Sequence, residues 1–383
     1  MESVKKNLRK HIETLCVEFG TRHSGSEGER LAGEYIEKYF TDLGIAVHSE
    51  EYAGKGWNFE SFELYNVTKG RPVAGGTTAC FFSATVDIED KFFFVTNDDL
   101  KNLENVPVAG KMCFVTNRTG FDRNALADRF EALGAAALVF PCANAGEHAD
   151  TKVTRSPFIT KLGTACVNLT GAYDISKNKD DIYRLRIKAN SFDTISRNIV
   201  AQVGSGPKKA VIGCHYDTAP LLQGASDNAA GTAMVMEFAR IMKEVKLPFM
   251  LEFVAFSGEE YIMDQGPMGS GHYMQRHKND DILWYLNCDS CADPFTTPCL
   301  MLGQKDKLPP LTSPHNTIDR EVGGDNGPFC RAGIGAVWLG YTPGFSIVHT
   351  AEDSADKLDY DLVEKSFFEI NDLFQQLISG TKI

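Results

Sequence analysis

The stretch 210-AVIGCHYDTAPLLQGASDNAAGTAMVMEFARIMKEV-245 holds an apolar run, a histidine and an aspartate two residues apart, a glycine-bearing turn, and a long amphipathic segment. AVIGC is apolar without alternation, as expected of a strand buried on both faces of a parallel sheet. NAAGTAMVMEFARIMKEV carries apolar residues at helical spacing, so strand, acidic turn and helix follow one another. The alternation continues downstream: FMLEFVAF (249–256), ILWYLNCD (282–289) and GAVWLGY (335–341) read as strands, MGSGHYMQRHK (268–278) and DLVEKSFFEINDLFQQLI (361–378) as helices. Buried strands separated by amphipathic helices predict an α/β domain with a mixed, mostly parallel central sheet flanked by helices.

Upstream the texture differs. Residues 1 to about 50 read as two helices broken at FGTRHSGSEGE (19–29), where Ser26 followed by Glu29 has the spacing of a capping box. Between them and residue 195, short β-rich runs such as GKMCFVTN (110–117) and RLRIKA (184–189) dominate, with one helix feeding a strand in NALADRFEALGAAALVFP (124–141). This predicts a domain made of residues 1–52 and 191–383, interrupted by an inserted mostly-β module at 53–190.

Ligands of open α/β sheets gather beyond the carboxyl ends of strands. Here AVIGC runs into His215-Tyr216-Asp217, LEFVAF into Ser257-Gly258-Glu259-Glu260, and LWYLNC into Asp289. Asp227 lies in the turn before a helix, and His349-Thr350-Ala351-Glu352-Asp353 follows the last strand. Two metal ions that each take one imidazole and one carboxylate, and share a bridging carboxylate, keep room for a common water. His215 and Asp217 sit two apart on an extended segment and project to one side, so Asp217 is placed to accept the second ring N–H of His215. Asp227 also has the position of a helix N-cap. Asp289, between apolar residues and cysteines, has no evident structural partner to offset its burial.

The ordered set HxDT, SDNAAG, GEE, NxD and HTxxD resembles the M28 family of co-catalytic zinc peptidases, over about residues 195 to 360 and in the opening FGTRHSGSEGE. The resemblance implies two Zn2+ per chain. It makes Asp227 the bridging carboxylate, places His215 and Asp289 on one zinc and Glu260 and His349 on the other, and gives Glu259 the role of general base. GKMCFVTNRTGF (110–121) and ALGAAALVF (132–140) resemble a protease-associated domain, a common insertion in this family. One element departs from the pattern: where some members have a tyrosine shortly before a Ser-Asp-His element, this chain has Arg320-Glu321-Val322-Gly323-Gly324-Asp325-Asn326-Gly327-Pro328-Phe329, with no tyrosine. The oxyanion donor is left open, with Tyr341 and Arg320 as candidates.

The function implied is an aminopeptidase acting on peptide substrates. A carboxypeptidase or amidohydrolase on the same centre, a single-zinc glutaminyl cyclase, and a non-catalytic receptor-like binding protein are the alternatives. A carboxylate-binding site calls for convergent arginines, and only scattered Arg320 and Arg331 are at hand. The net charge of -12 argues against nucleic acid as a partner. No apolar stretch approaches the roughly 18 residues of a membrane span, and MESVKKNLRKHIETL lacks the apolar run of a signal peptide, so a cytoplasmic protein is expected. Ten cysteines scattered through apolar runs read as reduced core residues, including the lone CxxC of Cys288 and Cys291. The sequence is silent on oligomeric state.

Overall fold

The computed structural model describes residues 3–116, 121, 123–142, 153–154, 161–263, 266–319, 323–341 and 346–382. The chain forms two compact units, Met1–Gly54 with Thr194–Ile383, and Lys55–Asp193.

In the first unit the strands lie in the order Asn316–Asp319, Pro298–Gly303, Ala336–Tyr341, Asp281–Asn287, Lys208–His215, Met250–Phe256, and residues 199–203. The four central strands are parallel, while Pro298–Gly303 and 199–203 run antiparallel to their inner neighbours. His215 pairs with Phe256, and Gly213 with Asn287. That register ends three strands at nearly the same level, so the loops after them open on one edge.

Both faces are covered because alternate residues of each strand face opposite ways. Ile199, Ala201, Ala210, Ile212, Leu251, Phe253, Trp284 and Leu286 join one core with the helices Val4–Glu13, Glu27–Asp42, Gly231–Met242 and Tyr360–Gly380. Their neighbours Val200, Val211, Val254 and Tyr285 join a second core with Met268–Arg276 and Asn326–Arg331. Phe238 stacks on Phe367 at 4.6 Å in the first core, and each such ring contributes about 1.5–3 kcal/mol by burial. Gly231 opens its helix where a Cβ would stand 2.1 Å from the Cys288 carbonyl, so only glycine lets the helix approach that strand end. Among the described residues no helix is long and apolar enough to cross a membrane.

The first helix buries His11 against Tyr35 Oη, 2.6 Å from its Nδ1, and edge-on to Tyr39. Burial, with Lys10 and Arg240 adding, pushes its pKa down to about 4. The folded state therefore binds this proton less readily than the unfolded chain. The stability this provides is complete above about 6.5 and is lost as pH falls through about 4. His11→Gln is expected to lose less stability than the wild type between pH 7 and 4, read from urea midpoints; identical slopes would remove His11 from acid unfolding.

At the second helix, Ser26 Oγ accepts the Glu29 amide at 3.1 Å, as the sequence pattern predicts. The reciprocal half differs: the Glu29 carboxylate accepts the Gly25 amide at 2.6 Å and the Ser257 hydroxyl. Glu29 is buried and is used in the tertiary structure.

The second unit is built on a sheet in the order Phe93–Val95, Met112–Val115, Ala137–Pro141, Gly163–Val167, Thr77–Cys80, Val153–Thr154. Its first four strands are parallel. Among the described residues, three α-helices accompany it: Asn97–Lys101, Arg123–Ala132 and Leu169–Lys177. Arg123–Ala132 is the one legible as a helical pattern. Asn97–Lys101 is short and rests on a capping box between Thr96 and Asp99, and Leu169–Lys177 starts at the Asn168 side chain.

Candidate metal centre

The loops beyond the strand ends bring five side chains to one place. His215 Nε2 lies 3.0 Å from Asp227 Oδ1 and 3.3 Å from Asp289 Oδ1. His349 Nε2 lies 2.9 Å from Asp227 Oδ2 and 3.1 Å from Glu260 Oε1. Two groups with metal-binding potential result, His215–Asp227–Asp289 and Asp227–Glu260–His349, with the donor atoms of each within 4.8 Å of one another. Asp227 belongs to both and turns one oxygen to each imidazole.

Electrostatics fit cations here. Asp217, Asp227, Glu259, Glu260 and Asp289 are all buried, and uncompensated buried carboxylates are costly. Burial opposes charge on His215, but hydrogen bonds to Asp217, Asp227 and Asp289 outweigh it and hold its pKa well above the ordinary value. Burial likewise disfavours charge on Asp227, and hydrogen bonds to His215 and His349 overcome it, drawing the pKa well below the usual range. The carboxylate set is thus configured for positive partners, and its mixed N/O donors suit zinc-type ions.

The residues around these donors explain their placement. Asp217 Oδ1 stands 3.4 Å from His215 Nδ1, while its main-chain carbonyl is 3.2 Å from the same ring nitrogen. Its carboxylate also accepts the amides of Glu259 and Glu260, each at 3.1 Å. One aspartate thereby ties the first ligand loop to the loop carrying the base candidate and a ligand.

Asp353 accepts the Ser226 and Asp227 amides at 2.5 and 3.1 Å. Burial, with the nearby Asp227 charge, raises its pKa to about 7. Asp293 receives the Ser346 hydroxyl and, at 3.1 Å, the Ile347 amide, anchoring the turn in which His349 adopts φ +61°. A left-handed backbone at a non-glycine residue persists when its surroundings hold it. The sequence left Asp293 and the side chain of Asp353 without a role. Their spacing, each four residues after a ligand candidate, was the available signal.

Gly324 adopts φ +62°, and a Cβ there would stand 3.2 Å from Glu259 Oε1 and 3.9 Å from Asp289 Oδ2. Gly324→Ala is therefore expected to displace Glu259 and lower turnover by up to about 100-fold, with bound metal unchanged. Wild-type turnover would show that this contact does not set the Glu259 position.

Arg320 lies outside the described residues, as does the side chain of Tyr341, so neither oxyanion candidate is placed. Cys288 and Cys291 are buried free thiols, and burial pushes both pKa values well above the ordinary thiol range, which disfavours the thiolate that ligation or redox exchange needs. His272 stacks on Tyr52 and His277 joins Glu50 and Asp280; neither belongs to either donor group.

Residues 198–372 match Peptidase family M28. The aminopeptidase YwaD of Bacillus subtilis (strain 168) is 38% identical over 68 residues, 18% of this chain and 14% of that protein. A probable zinc metalloprotease of Pyrenophora teres f. teres is 26% identical over 205 residues, 50% of this chain and 40% of that protein. The chain thus spans less than two thirds of the length of these curated relatives. Among solved structures, a zinc aminopeptidase from Bacillus subtilis superposes with a TM-score of 0.76 at 19% identity, covering 99% of this chain and 96% of that one. That likeness shows a shared fold.

Proposed function

From the family M28 peptidase domain that residues 198–372 form, we propose that this chain is a zinc-dependent exopeptidase that removes the N-terminal residue of peptides. The observation that supports it most is the division of Asp227 between two imidazoles, 3.0 Å to His215 and 2.9 Å to His349. A carboxylate so shared suits two ions, one with His215 and Asp289, the other with Glu260 and His349. Zinc, when bound, supplies Lewis acidity to the scissile carbonyl and lowers the pKa of its water toward about 7.

The chain's own residues do the rest. Glu259 takes a proton from the attacking water and returns it to the leaving amine, the role a positioned carboxylate serves in general acid–base catalysis. Asp217 holds Glu259 and Glu260 in register through their amides, so base and ligand move as a pair. Asp353 and Asp293 fix the backbones that present Asp227 and His349. Residues 55–193, which include the segments resembling a protease-associated domain, are proposed as a module that modulates substrate range. Deletion of 55–193 with an unchanged range in a folded protein would remove that role.

The test is hydrolysis of a panel of aminoacyl chromogenic amides beside their N-acetylated counterparts, with metal content measured on the same sample. Activity confined to free-amine substrates, lost to a chelator and restored by zinc, with about two metals per chain as a co-catalytic centre requires, is the expected result. Equal activity on blocked substrates would replace the aminopeptidase with an amidohydrolase. Neither metal nor activity would favour a binding protein.

A further inference from the structure

The opening FGTRHSGSEGE places Arg22 at the heart of the first unit, with no exposure to solvent. A guanidinium stays charged in any protein environment, and a buried charge needs compensation. Among the described residues no carboxylate pairs with it. Five bonds run instead to main-chain carbonyls: Nε to Tyr216 at 2.8 Å, Nη1 to Leu15 and Gly20 at 3.0 Å and to Gln223 at 2.7 Å, and Nη2 to Gly224 at 3.1 Å. The Arg22 amide adds a sixth, to Thr218 Oγ1 at 2.9 Å.

These partners are not scattered. Tyr216 and Thr218 bracket Asp217 directly after His215, whereas Gln223 and Gly224 lead into Asp227. One side chain therefore grips the loops that carry two of the three donors of the first triad, His215 and Asp227. The loops also touch each other: at Gly224, φ +57°, a Cβ would stand 2.5 Å from Thr218 Cγ2 and 2.2 Å from the Asp227 carbonyl. The Gly224 carbonyl also accepts the Ala229 amide at 2.9 Å, so Arg22 and the turn that carries Asp227 share one main-chain acceptor. Asp353 holds the amides of that same turn, so Asp227 is clamped from its amide side by a carboxylate and from the preceding carbonyls by a guanidinium. A lysine ammonium, with three donors and no planar fork, cannot reproduce five carbonyl bonds.

We propose that Arg22 is a positioning residue for the metal pair: by fixing the main chain beside His215 and before Asp227, it sets how tightly the centre holds zinc. This rests on the reading of those residues as zinc ligands. A role confined to folding would lower the stability of metal-free and zinc-loaded protein alike. A positioning role instead shrinks the gap between them, because at a fixed zinc concentration the stabilisation by bound metal grows with the logarithm of its affinity.

The experiment compares wild type, Arg22→Lys and Phe40→Leu, the last a core change on the helix Glu27–Asp42. Thermal midpoints are measured metal-free and with zinc, and zinc affinity by chelator competition. In wild type, zinc is expected to raise the midpoint. Arg22→Lys is expected to weaken zinc affinity by about 10- to 100-fold, the range of outer partners of metal ligands, and to shrink that rise. Phe40→Leu is expected to lower both midpoints together with affinity unchanged. Equal lowering of both midpoints in Arg22→Lys, with affinity within about twofold of wild type, overturns the proposal. A wild type that zinc does not stabilise overturns the ligand reading itself. Should Arg22→Lys not fold, Thr218→Val, which removes the acceptor of the Arg22 amide together with the hydroxyl's own bond to the Leu222 carbonyl, is read against the same criteria with a smaller loss of affinity expected.

Discussion

Glu259→Gln is expected to lower turnover by about 10²- to 10⁴-fold, the share that a positioned general base contributes, without loss of bound metal. The amide keeps the size of the carboxylate but cannot take a proton from water. Glu259 belongs to neither donor group, and its main chain is held by Asp217 whichever side chain stands there. The adjacent Glu260→Gln should behave differently, losing metal at the triad with His349. Turnover and metal content measured together separate the two. A Glu259→Gln protein with full turnover would take the proton-transfer role from this residue.

The second large effect is expected at Asp227. Asp227→Asn removes the charge facing both imidazoles and leaves His215 and His349 each without its closest carboxylate. Metal binding should fall at both triads, by more than the roughly 10- to 100-fold that outer partners contribute, and activity with it. Asp289→Asn and Glu260→Gln should each spare the other triad. Metal content after dialysis and activity on added zinc report the difference. If Asp227→Asn emptied only one triad, Asp227 would be an ordinary ligand of a single ion.

The sequence exposed the ligand candidates because their chemistry is local: a histidine or carboxylate directly after a buried strand has few structural excuses. The four central strands were legible for a similar reason, since an uninterrupted apolar run has little alternative to burial. Arg22 was visible only as a letter in a glycine- and serine-rich break, and Glu29 only as the capping-box partner of Ser26. Their partners, Tyr216 and Ser257 among them, lie about two hundred positions away, and no pattern of period two or 3.6 encodes such a pairing. Gly324 reads as a turn glycine; its use, leaving space for Glu259, depends on how two distant loops meet. Asn97–Lys101 escaped because a five-residue helix is specified by its cap more than by its periodicity.

The interruption of the first unit by residues 55–193 has a consequence for the order of assembly. The second unit is one unbroken segment, so during synthesis it emerges whole and can fold while the rest of the chain is still being made, as domains commonly do. The first unit has to wait. Of its opening residues, Arg22 reaches its carbonyl partners at Tyr216, Gln223 and Gly224 only after that segment exists, and its buried charge is only partly met before then. Closing so long a loop costs little more than closing one half its length, about 0.6 kcal/mol for each doubling. If the intervening unit folds first, it shortens the effective loop further by bringing residues 55 and 193 to fixed positions. Prior folding of the inserted unit would then speed the return of the amino-terminal arm, making the insertion a kinetic aid to the very domain it divides.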